Sequence, residues 1–168
     1  MSGPVSTSRV FQAARVAKAR LSAVTWPAHP RLASLPAPGV TYDSSVDHER
    51  NAEIIAVSST VGEDDAITPH SFPDRREETL TLSIKVLTAT GEHDDEDVID
   101  RLEALCNEIQ TAVWDTDAAS PTGRSVPLGD NGVKTGGVAS VQFSVFTDDD
   151  YDGYLGTAEV VYQLQYRI

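Results

Sequence analysis

Residues 77–90, EETLTLSIKVLTAT, alternate between apolar and polar side chains. The apolar members fall on one face of an extended chain and are Leu80, Leu82, Ile84 and Val86. Threonine, serine and lysine side chains fall on the opposite face. A period of two is typical of a β-strand with one buried face. The stretch therefore predicts a sheet that packs one side against a core and leaves the other side polar.

Segments on both sides of this strand complete a mixed fold. A β-branched run covers 52–60, and two further alternating segments cover 138–146 and 157–168. Apolar residues recur every three or four positions over 8–24 and 95–114, which predicts two amphipathic helices. The order α-β-β-α-β-β predicts the α+β class. We expect a two-layer α/β sandwich with two helices on one face of a largely antiparallel sheet of about four strands.

The length of the chain fits a single domain over residues 1–168. We expect residues 1–7 to be flexible and two long polar loops to cover about 61–76 and 115–137. A connector that contains four of the nine prolines joins the first helix to the sheet. Proline fixes φ and removes a hydrogen-bond donor, so this connector is predicted to be extended and not to form an element.

Charge is unevenly distributed along the chain. The net charge of −13 argues against a protein that grips nucleic acid through a basic face. Residues 1–38 nevertheless contain basic side chains and no acid. Opposite charges on separate surfaces favour self-association, and a solvated helix face is the alternative interpretation. The candidate contact residues for a subunit or partner are Arg9, Arg15, Lys18, Arg20, Arg75, Arg76, Glu77 and Glu78.

An acidic segment near the end of the chain has the spacing of an EF-hand calcium loop. The candidate ligands are Asp148, Asp150, Asp152 and Glu159. An EF-hand needs a helix on each side, whereas both flanks here alternate with a period of two. Residues 148–156 are therefore predicted to connect a β-hairpin and to be solvated. A calcium site is the alternative, and no other cofactor is expected.

The sequence lacks the patterns on which common catalytic sites are built. It has no G-x-S-x-G, no phosphate-binding glycine loop and no H-E-x-x-H. Its four histidines fall in predicted loops or at element edges, and its single cysteine, Cys106, lies beside the apolar stripe of the second helix. We expect a buried, inert thiol there, no disulfide and no enzyme activity. No apolar stretch is long enough to span a membrane, so no membrane partner is expected.

Several stretches together resemble a known family. They are the basic first helix, the proline-rich link ending in GVTYD, the strand RREETLTLSIKV, the helix ending in LEALCNEIQTAVWD and the Gly/Asp loop before two closing strands. In this order they resemble the tail terminator, or tail completion, proteins of long-tailed bacteriophages. The resemblance covers about residues 9–168, and its most specific part is Arg76-Glu77-Glu78 at the start of the alternating strand.

The resemblance implies a structural protein of the virion. Such proteins form a homo-oligomeric ring, typically of six subunits, that caps the head-proximal end of the tail tube and ends its polymerisation. The implied partners are the tail tube protein and a head-completion or connector protein, and DNA passes through the lumen without specific binding. The implied location is the head-tail junction of the virion, after assembly in the host cytoplasm. Another neck component, such as a head-closure or adaptor protein, and a calcium-dependent binding module are the alternatives.

Overall fold

The computed structural model describes residues 9–42, 52–61, 68–69, 76–114, 127–128 and 133–167. Its elements in chain order are α1 (Val10–Ser22), β1 (Gly39–Thr41), β2 (Ala52–Val61), β3 (Thr68–Pro69), β4 (Arg76–Ala89), α2 (Asp95–Val113), β5 (Val133–Thr147) and β6 (Tyr154–Arg167). The predicted α+β class is confirmed. Residues 1–7 and most of the two predicted loops lie outside the described residues. Neither described helix has the length and apolarity needed to cross a membrane.

The strands form one open sheet in the order β1-β2-β4-β6-β5, with β3 paired to the start of β4. All neighbours are antiparallel except β1 and β2, which are parallel. The prediction of about four strands therefore missed two short strands, β1 and β3. A strand as short as β1 has no room for a periodic pattern, and β3 contains Pro69, which is depleted in strands.

Strand β5 begins at Val133, inside the region predicted to be a loop up to residue 137. Its first part contains Gly136 and Gly137, which lower the intrinsic preference for a strand. Both glycines pair with β6, opposite Leu164 and Gln163. Main-chain pairing with a strong neighbouring strand thus outweighs the weak local signal.

Both helices pack on the same face of the sheet. Helix α1 buries Ala13, Ala17 and Leu21 against β2, and α2 lies over β4 and β6. The apolar face of β4 is fully enclosed, as its alternation predicts. The main residues of the core are Ile55, Val57, Leu80, Leu82, Ile84, Val98, Leu105, Ile109, Val160, Tyr162 and Leu164.

Helix α2 approaches β6 most closely at Gly156. A Cβ atom at this position would lie 2.5 Å from Val98 Cγ1 and 3.0 Å from both Leu102 Cδ1 and Thr88 Cγ2. Real Cβ atoms do not come so close to other carbon atoms. Position 156 therefore sets the distance between α2 and the sheet.

We expect Gly156→Ala to lower the free energy of unfolding by about 1–3 kcal/mol, because the added methyl group overpacks the contact with α2. Gly137→Ala is the matched control, since a Cβ there meets nothing within 4 Å. That control should be neutral or slightly stabilising, because alanine restricts the unfolded chain. Chemical denaturation of both variants measures the difference. Equal stabilities would contradict the close approach.

A buried ion pair joins β2 to α2. The guanidinium of Arg101 donates from Nε and Nη2 to the two carboxylate oxygens of Glu53, over 2.8 and 2.7 Å. Thr88 donates its hydroxyl to the same carboxylate. The remaining Nη1 of Arg101 donates to the carbonyl oxygen of Pro27 over 2.9 Å. One guanidinium therefore ties a strand, a helix and the proline-rich connector together.

A second polar cluster fixes the rest of the connector. His29 is buried, and its Nδ1 accepts hydrogen bonds from the backbone amides of Arg31 and Leu32. Its Nε2 lies 3.4 Å from a carboxylate oxygen of Glu92. Arg31 adds ion pairs to Glu92 and Asp97. The connector is thus held to the start of α2 by side-chain contacts and not by secondary structure.

We expect Arg101→Met to lower the free energy of unfolding by about 3–5 kcal/mol, because it leaves the Glu53 carboxylate buried without a counter-charge. Arg15→Met is the matched control, since Arg15 is exposed on α1. That change should stay within about 0.5 kcal/mol of the parent protein. A Glu53→Leu, Arg101→Met double variant should recover much of the loss. Denaturant unfolding of the four proteins tests this, and an Arg101→Met variant as stable as the control would overturn it.

Candidate functional site

The acidic segment forms the tip of the hairpin between β5 and β6, as predicted, although strand β6 already begins at Tyr154. Asp148 accepts a hydrogen bond from the backbone amide of Asp150 and so stabilises the turn. Glu159 lies within β6, paired with Lys85 on one side and Gln142 on the other. Within the described residues, no three acidic, histidine or cysteine side chains are grouped to hold a metal ion.

The hairpin tip rests on the connection between β4 and α2. The backbone amide of Tyr154 donates to the carbonyl oxygen of Glu92 over 2.7 Å. Gly153 has a φ of 104°, and a Cβ there would lie 2.7 Å from the backbone of Gly91. The aspartates of the tip therefore lie next to the acidic first turn of α2. We call these two segments, residues 94–97 and 148–152, the acidic end.

The basic residues in and just before α1 differ in their contacts with the rest of the fold. The backbone amide of Arg9 donates to the buried carboxylate of Glu78. Lys18 lies 4.8 Å from the centre of the Tyr42 ring, and Arg20 donates to the carbonyl oxygen of Val113. Of the four basic side chains Arg9, Arg15, Lys18 and Arg20, only that of Arg15 is exposed. The structure thus ties most of this group to its own fold.

The other predicted contact residues lie at the start of β4. Arg75 is outside the described residues, and Arg76 and Glu77 pair through their backbones with β3. Glu78 is only 1% exposed. The structure therefore places Glu78 inside the fold, against α1.

One turn before Arg15, Phe11 projects from α1 with 71% of its surface exposed. Positions separated by four residues are neighbours on a helix surface. Phe11 and Arg15 therefore form one exposed face of α1, which we call the α1 face. The sequence signal was present, since Phe11 falls outside the apolar stripe that packs on the sheet.

A second exposed apolar surface lies at the opposite side of the molecule. Val138, Val141 and Phe143 of β5 pair with buried residues of β6, so they point to the helix-covered side of the sheet. Helix α2 lies over β4 and β6, and Val141 and Phe143 remain 51% and 62% exposed. Alternation predicted the strand, but it does not show that α2, which contacts β5, leaves these side chains exposed.

A cleft of about 260 Å³ separates α2 from these β5 side chains. Its apolar lining includes Leu102, Cys106, Val141 and Phe143. The α2 side of its rim is polar, with Glu103, Asn107 and Gln110. We call this feature the α2–β5 cleft. It offers an apolar floor and an acidic rim, a combination that fits an apolar side chain next to a cation.

The uncovered side of the sheet has a different chemistry. It is rich in serine, threonine and glutamine, and a shallow cleft of about 380 Å³ there includes Lys85 and Glu159. These two residues face each other on adjacent strands. The same cleft is also lined by apolar side chains, among them Ile54 and Leu87.

The titratable groups of the core are shielded from solvent. Burial raises the pKa of the Cys106 thiol, as expected for an inert cysteine. Burial also raises the pKa of Tyr162, and it raises that of Tyr166 to about 12 despite the nearby Arg9 and Arg20. Neither tyrosine hydroxyl has a hydrogen-bond partner within the part of the chain that the structure describes.

No protein-family model matches the chain, and no curated protein is significantly similar to it. The resemblance to tail terminators therefore rests on the order of elements and on the stretches quoted above.

We expect stability to decline above about pH 10, because the unfolded chain then loses phenolic protons that the folded protein keeps. The raised pKa of Tyr166 contributes to the free energy of unfolding. This contribution is fully present below about pH 10 and is lost as the pH rises through the folded pKa of about 12. Tyr166→Phe should make the decline less steep. At pH 7 the same change should alter the free energy of unfolding by less than about 1 kcal/mol, because the hydroxyl has no described partner. Denaturant unfolding across this pH range measures both effects. An unchanged alkaline slope would contradict the role given to Tyr166.

Proposed function

We propose that this protein is a tail terminator of a long-tailed bacteriophage. Copies of the chain form a ring, typically of six, on the head-proximal end of the tail tube. The ring ends tube polymerisation and gives the head-completion or connector protein a surface to bind. In this proposal the protein is a structural component of the virion and not an enzyme.

The observation that carries this proposal is the position of the two exposed apolar surfaces. The α1 face lies on the β1–β2 side of the sheet, and the α2–β5 cleft lies beside its other edge strand. Surfaces that are different and lie on opposite sides of a subunit allow head-to-tail association, which produces a ring when the rotation closes. The sequence resemblance supports a ring of this type on the tail tube.

Charge supports the passage of DNA. The chain has a net charge of −13, and the acidic end concentrates carboxylates at one place on the surface. Like charge keeps the DNA backbone from adhering to a channel wall, because protein binding to the phosphates depends on basic side chains. A conduit for DNA needs this property, whereas a protein that packages or reads DNA needs the opposite one.

A tube-capping assay tests the proposal. The purified protein is added to growing tubes of the cognate tail tube protein, and tube length and tube ends are followed by electron microscopy. We expect elongation to stop and a ring to be visible at one end, while tubes without added protein continue to grow. Binding to a portal or connector without any binding to tubes would reject the terminator assignment and favour another neck component. A response only to added calcium would favour the binding module.

A further inference from the structure

The α1 face and the α2–β5 cleft have complementary chemistry. Phe11 is a large exposed apolar side chain, and the cleft has an apolar floor that includes Val141 and Phe143. Arg15 lies one helical turn from Phe11, and Glu103 lies on the rim of the cleft. Among the residues that the structure describes, no basic side chain lines the cleft. An aromatic residue beside an arginine is the kind of pair that anchors protein interfaces.

The two surfaces of one chain cannot meet each other. Helix α1 packs over β2, whereas the cleft lies beyond α2, between that helix and β5. The body of α2 and the strands beneath it therefore separate Phe11 from the cleft of its own subunit. A contact between these surfaces requires a second copy.

We propose that the α2–β5 cleft is the binding site for the α1 face of a neighbouring copy. Phe11 of one subunit enters the cleft of the next, and Arg15 pairs with Glu103 on its rim. In this arrangement the neighbour's α1 acts as a third helix over the sheet and covers the exposed side chains of β5. The inference rests on the ring-forming part of the proposed function, and it assigns the residues through which the ring closes.

The contact is head-to-tail, because each subunit offers a different surface to each neighbour. A symmetric dimer through either surface would instead bring Phe11 next to Phe11, or Phe143 next to Phe143.

Cross-linking distinguishes these cases. Two variants, Phe11→Cys and Phe143→Cys, are prepared in a Cys106→Ala background so that each chain carries one thiol. The readout is a covalent dimer on a denaturing gel after mild oxidation.

We expect the mixture of the two variants to form the covalent dimer, and each variant alone to form little. Tyr42→Cys mixed with Phe143→Cys is the matched control, since Tyr42 is exposed but lies outside the α1 face. Cross-linking of Phe143→Cys with itself would show a symmetric pairing through β5 and would overturn the proposal. The same holds for a mixture that cross-links no more than the control at concentrations where sedimentation shows that the two variants themselves still associate.

A charge exchange tests the polar half of the contact. Arg15→Glu and Glu103→Arg should each weaken self-association by about tenfold or more, because each places like charges together across the interface. The double variant, with both exchanges in one chain, should restore association. Sedimentation velocity measures the association, and circular dichroism confirms that the exposed substitutions leave the fold intact.

The outcomes separate this proposal from the tail assignment. Association that follows the predicted pattern in a protein that never caps tubes would support the contact and reject the terminator function. Tube capping by the Arg15→Glu variant at the parent's level, with no rescue by the double variant, would reject the contact and leave the terminator function standing. A parent protein that stays monomeric both in concentrated solution and on tubes would overturn the contact as well.

Discussion

Because Glu53 and Arg101 are both enclosed, each charge is tolerated only while the other is in place. The pair therefore specifies how α2 sits on the sheet, since a rotation or slide of the helix would separate the two groups. The remaining nitrogen of the guanidinium holds the carbonyl of Pro27, so the connector and α1 depend on the same interaction. Together with the close approach at Gly156, it fixes α2 over β4 and β6.

That position of α2 has a consequence at the edge of the sheet. Two helices cover β2, β4 and β6, and α2 also contacts β5 but leaves Val138, Val141 and Phe143 exposed. The exposed strip of Val138, Val141 and Phe143 is thus a result of the internal architecture and not of a local irregularity. An exposed edge strand with apolar side chains invites association, and natural proteins usually protect such edges or use them.

The amphipathic periods predicted both helices and three of the four long strands, because each pattern shows which side of an element is buried; the strand at 52–60 was predicted from its β-branched composition. The period of a pattern does not show which neighbouring element covers the apolar face. The sequence therefore did not predict that Phe143 is exposed. The ion pair was also missed, although a signal existed. Glu53 shares its strand face with Ile55 and Val57, and Arg101 lies within the buried stripe of α2 between Val98 and Leu105. Charges at inward positions of two elements indicate that the elements meet. The loops were predicted only by composition, which carries no information about geometry.

The exposed apolar side chains of β5 also affect how the protein behaves in solution. Each copy of the chain exposes apolar side chains on an edge strand, where contacts between copies could bury them. Because the net charge is −13, copies of the chain repel one another at long range, and this repulsion slows non-specific association. In the contact proposed above, the attraction between Arg15 and Glu103 acts only in the head-to-tail orientation. In that proposal the net charge limits non-specific aggregation and the Arg15–Glu103 pair selects the specific contact, so ionic strength should set the balance between the two effects.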